Sequence, residues 1–122
     1  MPGLPLNRIC ERRIEQEIVV DAYGPEEHAL SWYYYLEEKL SFPFAARCVA
    51  KHPLWPLKKG ERVEVLGMAR ENMCLQGMFV LARHVQRRFG VPLELLEPVG
   101  VGAEARTAIV DWHYWVRRGY SF

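Results

Sequence analysis

The chain has 122 residues, half of them hydrophobic and a quarter charged, a globular composition too short for two independent cores. No run approaches the ~20 apolar residues that a bilayer-spanning helix needs. The formal net charge of +1 conceals a segregation: residues 1–41 hold eight carboxylates against four cations, whereas residues 42–93 hold nine cations against three carboxylates. One surface therefore suits a cation and the other a polyanion.

The first six residues, Met1-Pro2-Gly3-Leu4-Pro5-Leu6, have no basic stretch followed by an apolar one, so they do not read as a leader. A cytoplasmic location without a membrane partner is the expectation, with residues 1–122 forming one domain. Asn7 suits the cap of a helix over residues 8–22, with Ile14 and Ile18 four apart on its inner face. Gly24 ends that helix and Pro25 opens a second one, which runs to Leu40. At helical spacing Ala29, Trp32, Tyr33, Leu36 and Leu40 share one face of it. Residues 8–40 thus form a helical pair.

After Phe42-Pro43 the pattern turns β-like. Phe44 to Ala50 alternates, Arg62 to Met68 reads as a strand, and Met78 to Val85 reads as a central strand apolar on both faces. Gln86 to Gly90 is expected to turn the chain into a short closing strand at Val91-Pro92-Leu93. Four or five short strands without crossover helices predict a small antiparallel sheet or barrel over residues 42–100, of SH3-like type. A last helix covers residues 103–118, with Ala105, Ala108, Ile109, Trp112 and Val116 at helical spacing and Gly119 after it. The fold class is α+β.

Little in the chain points to catalysis. Phosphate-binding glycine loops, Gly-x-Ser-x-Gly turns and His-Glu-x-x-His runs are absent, and the four histidines fall on different predicted elements. The three cysteines, Cys10, Cys48 and Cys74, are far apart and read as buried thiols. An enzyme is not expected.

The carboxylates carry more chemistry. A calcium ion takes about six to eight oxygens from carboxylates, carbonyls and water. Glu26 and Glu27 open the second helix, where the macrodipole already favours negative charge. Glu37 and Glu38 close it, where the dipole disfavours carboxylates and a cation relieves the strain. Glu27 and Glu38 lie about 16 Å apart along the axis, so one ion cannot bridge them. The alternative reading is a barrel that binds a protein partner or nucleic acid through Arg47, Lys51, Arg83, Arg87 and Arg88, or that self-associates by setting basic sheet against acidic helix.

The run Glu17-Ile18-Val19-Val20-Asp21-Ala22-Tyr23-Gly24-Pro25-Glu26-Glu27, continuing through Trp32-Tyr33-Tyr34-Tyr35-Leu36-Glu37 to Phe42-Pro43-Phe44, resembles the CcbP-type family of bacterial calcium-binding proteins. Pro56-Leu57, Val63-Glu64-Val65, Gly67-Met68-Ala69, Met78-Phe79-Val80, Val91-Pro92-Leu93 and Asp111-Trp112-His113-Tyr114-Trp115 agree in the same order. The resemblance covers residues 12–120 and implies calcium binding through acidic surface residues without an EF-hand loop. The acidic positions it matches are Asp21, Glu26, Glu27, Glu37 and Glu38, with Glu37 and Glu38 foremost. Relatives are commonly acidic after Met68-Ala69, where this chain reads Arg70-Glu71-Asn72-Met73-Cys74, so the resemblance also implies a lowered affinity.

Overall fold

A computed structural model of the chain describes residues 6–52 and 54–122. The reading of residues 1–5 as lacking a leader lies outside that set.

Helix α1 spans Arg8–Arg13, and Asn7 caps it by accepting from the N–H groups of Ile9 and Cys10 at 3.0 and 3.1 Å. The predicted continuation to residue 22 does not occur. A π turn over Ile14–Ile18 follows, closed by the Val19 N–H donating to Ile14 O at 2.9 Å, and the helix stops there. The widened turn still buries both Ile14 and Ile18, while the β-branched pair Val19-Val20 does little to propagate a helix. Helix α2, Pro25–Lys39, begins as expected, and its predicted inner face is buried.

Strands β1 (Phe44–Cys48), β2 (Arg62–Met68), β3 (Phe79–His84), β4 (Arg87–Pro92) and β5 (Leu96–Val99) form one antiparallel sheet in the order β4-β3-β2-β1-β5. The expected barrel is corrected by this order: the sheet is open, and β4 and β5 are its two edges. A barrel encloses its own core, whereas here helix α2 and helix α3 (Ala103–Arg117) share the core with the sheet. Trp32 of α2 meets Trp112 of α3 edge-on at 5.0 Å between ring centroids, and Leu36, Ile109 and Val65 are buried in the same cluster.

Two further expectations change in the sheet. The central strand is β2, while β3 buries Val80 and Ala82 fully and leaves Phe79 and Leu81 partly exposed. The turn expected over residues 86–90 is only Val85–Gln86, because both residues take positive φ and reverse the chain in two positions. Arg87 and Arg88 are consequently strand residues. A 3₁₀ turn at Leu93–Leu95 leads into β5, whose Pro98 is tolerated because the strand lies at an edge.

Helix α1 is tied to α3 by ionic contacts. The Arg13 guanidinium donates to both oxygens of Asp111, at 2.5 and 2.7 Å, and Asp111 is completely buried. Asn7 N–H donates to the Tyr114 hydroxyl, which in turn donates to Glu11. All three cysteines are buried, and burial pushes the Cys10 and Cys74 thiols up.

Candidate metal centre

The acidic residues of α2 divide between its two ends. At the N-terminal end Gly24 supplies no side-chain cap, and Glu27 Oε2 instead accepts from the Tyr23 N–H at 2.9 Å. That carboxylate is therefore engaged in holding the turn into the helix. Glu26 is exposed in the same first turn, and Asp21 is exposed in the segment before it.

At the C-terminal end, Glu37 and Glu38 point to different neighbourhoods. Glu38 lines a cavity of about 610 Å³ together with Lys39, Ser41, Gly100, Gly102 and Glu104. The glycines can contribute only main-chain atoms, so this lining offers carbonyls, a hydroxyl and two carboxylates, all hard oxygen donors. Lys39 Nζ lies 3.1 Å from Glu104 Oε1 and 4.0 Å from Glu38 Oε1. The hydrogen bond to Glu104 pushes the Lys39 ammonium pKa up, with the charges of Glu104, Glu38 and Glu17 adding to it. The carboxylates of Glu38 and Glu104 thus bracket one cation where the α2 dipole is negative.

Glu37 belongs instead with Glu71. The Tyr34 hydroxyl donates to Glu71 Oε1, and the Tyr34 pKa is raised first by that bond, with the negative charge of Glu37 a lesser cause. Next to it, the Tyr33 hydroxyl donates to Ala69 O at 2.7 Å. The structure therefore separates Glu37 from Glu38 and leaves Asp21, Glu26 and Glu27 at the far end of the helix. Among the described residues no three His, Cys, Asp or Glu side chains converge as a ready ligand set.

Sequence reasoning missed Glu104. Glu104 stands in the first turn of α3, where the dipole explains a carboxylate without any ligand. Only the packing of α2 on α3 brings it beside Glu38. The Arg70–Cys74 segment, by contrast, holds one carboxylate, Glu71, and it is engaged by Tyr34.

The basic residues are also dispersed. Arg83 is paired with Glu64 on the neighbouring strand. Arg47 stands between Arg62 and Glu97 in the strand register, and Lys51 is exposed in the loop after β1. Arg87 and Arg88 are exposed on edge strand β4.

Residues 12–116 match the CcbP calcium-binding family, described as "Calcium binding". The chain belongs to that family. Its fold superposes on the crystal structure of Anabaena CcbP with a TM-score of 0.88, at 38% identity and with 100% of both chains covered. A structure described as a calcium-binding protein in the calcium-binding form matches with a TM-score of 0.85, at 38% identity over 95% of each chain. No curated protein matches. Among the described residues no helix is long and apolar enough to cross a membrane.

Proposed function

We propose that this chain is a cytoplasmic calcium-binding protein, one domain over residues 1–122, that holds the ion in the cavity between the end of α2 and the start of α3. Glu38 and Glu104 are the carboxylates of this site, with main-chain oxygens near Ser41, Gly100 and Gly102 and water completing a shell of about six to eight oxygens. The observation that carries this reading is Lys39, an ammonium bracketed by Glu104 and Glu38 in an oxygen-lined cavity. Such a site already favours positive charge, and a divalent ion neutralises the carboxylates there more completely than one ammonium does. The two carboxylates come from different helices, so the arrangement is not an EF-hand loop, and its chemistry is binding, not catalysis. Glu37, with Glu71, lies outside this site, and Asp21, Glu26 and Glu27 serve the other end of α2.

Isothermal titration tests the assignment. Wild-type protein is expected to give a saturable calcium heat that Glu38→Gln/Glu104→Gln abolishes. Glu37→Gln/Glu71→Gln is expected to retain it. A flat wild-type titration at millimolar calcium sinks the calcium reading. Loss of the heat only in the Glu37/Glu71 pair moves the site to the Tyr34 side of α2.

A further inference from the structure

The calcium reading places its site beside β1, β5 and the two long helices. The opposite edge of the sheet, at the β3–β4 hairpin, has features that calcium binding does not use. The hairpin closes at the pair His84↔Arg87 through Val85 and Gln86, at φ +49° and +63°. Asn-Gly adopts this left-handed backbone cheaply, and a β-branched residue does so at a cost. Val85 is nevertheless 78% exposed, so no burial offsets that strain. Strain held without internal compensation points to a role outside the fold.

A second aliphatic side chain, Leu54, is 76% exposed on the neighbouring loop. Two adjoining cavities of about 430 and 280 Å³ lie there, and both are lined by Pro56, Arg87 and Phe89. Trp55 forms part of the floor and is held in place. Its indole N–H donates to Gly90 O, and its ring contacts His52 and Phe79 at centroid distances of 4.6 and 6.2 Å. The groove is therefore apolar, rigid at its base, and bordered by exposed aliphatic groups.

Its charge is one-sided. Arg88 stands directly across the strands from Arg83, a like-charge opposition that costs stability. Arg83 is already engaged by Glu64, and among the described residues neither Arg87 nor Arg88 has a carboxylate partner. Glu61, just before β2, faces His84 at 3.4 Å.

We propose that this groove docks an acidic segment of a partner protein. An aliphatic or aromatic anchor of that segment seats between Leu54 and Val85 on Trp55 and Phe89, while flanking carboxylates meet Arg87 and Arg88. Desolvated apolar anchors beside guanidinium groups are the pattern of a protein-binding hot spot. Simple strand addition to β4 is blocked, because the Gly90 carbonyl in the middle of that edge is occupied by the Trp55 indole. Nucleic acid fits less well: the exposed side chains beside the two arginines are aliphatic, and the Trp55 ring is partly covered, which leaves no open stacking platform.

Display of random dodecapeptides on the intact wild-type protein, with counter-selection on Arg87→Gln/Arg88→Gln, tests the proposal. Enrichment of Leu, Ile, Phe or Trp within three residues of Asp or Glu is expected. Synthetic peptides of the enriched sequences should lose roughly tenfold or more in affinity, the scale of a lost anchor contact, toward Leu54→Ser and Val85→Asn. Asn accepts the left-handed backbone, so Val85→Asn keeps or raises the melting temperature, and weaker docking cannot then be unfolding. Glu38→Gln/Glu104→Gln should bind the peptides like wild type, which separates this surface from the calcium site. Absence of enrichment, or a neutral or basic consensus, overturns the proposal. Oligonucleotide binding indifferent to Leu54→Ser overturns it in favour of nucleic acid. A concentration-dependent oligomer in sedimentation, dissolved by Val85→Asn, overturns it in favour of a second copy.

Discussion

Among single residues, Asp111 is the most consequential for stability. Among the described residues it is the one charged residue without any exposed surface, and Arg13 meets both of its oxygens across α1 and α3. The pair is unequal in burial, since the Arg13 side chain is 24% exposed. Removing the arginine therefore strands a carboxylate in the core, whereas neutralising the carboxylate leaves a guanidinium that can turn to water. Arg13→Met is expected to cost about 3–5 kcal/mol, the usual penalty for an unpaired buried charge. Asp111→Asn, which keeps an acceptor but buries an unneeded amide donor, should cost about 1–3 kcal/mol. Urea unfolding at neutral pH measures both, and an Arg13→Met loss no larger than that of Asp111→Asn contradicts this account. Nothing in the sequence around Asp111 points to Arg13, 98 positions away.

At the scale of elements, what could be read in advance depended on how local the cause was. The inner face of α2 follows from side-chain spacing, so Ala29, Trp32, Tyr33, Leu36 and Leu40 were legible and are buried. The bounds of β2 were legible because buried Val63 and Val65 alternate with Arg62 and Glu64. The π turn at Ile14–Ile18 was not, since its spacing differs from an α-helix by a single hydrogen-bond shift. Openness of the sheet depends on which layer covers its inner face, and strand patterns do not encode that. The β3–β4 turn was misplaced for a chemical reason: Val-Gln lacks every residue type that normally marks a left-handed turn. That unusual chemistry makes its own prediction. Val85→Asn/Gln86→Gly supplies the residues such a turn favours and should stabilise the protein by about 1 kcal/mol, or roughly 4 °C in Tm. Thermal unfolding checks it, and an unchanged or lower Tm would mean that the turn carries no strain.

Across the whole molecule, the charge split visible in the sequence becomes a division between two edges of one sheet. The acidic helices meet the β1–β5 side, and the unpaired arginines lie on β4. The calcium candidates were half legible. Glu38 drew attention because a carboxylate opposes the dipole at a helix C-terminus, but Glu104 reaches it only through the packing of α2 on α3, 66 positions on. Between them stands Lys39. Its position gives it a second consequence: while its ammonium lies against Glu104 and Glu38, it competes with any cation for the same oxygens. Lys39→Gln removes the competitor and leaves the Glu38 and Glu104 carboxylates to be neutralised by calcium alone. Calcium affinity should rise on the order of tenfold, the size of effect expected from deleting one adjacent like charge. Because a ligand at a hundred times its Kd stabilises the folded state by about 2.7 kcal/mol, the calcium-induced rise in Tm at fixed calcium should be larger in this variant than in wild type. Parallel titrations and melting curves of wild type, Lys39→Gln and Glu38→Gln/Glu104→Gln decide the matter. Unchanged or weaker calcium binding in Lys39→Gln would place the ion away from the Lys39 ammonium, and with it away from the cavity between α2 and α3.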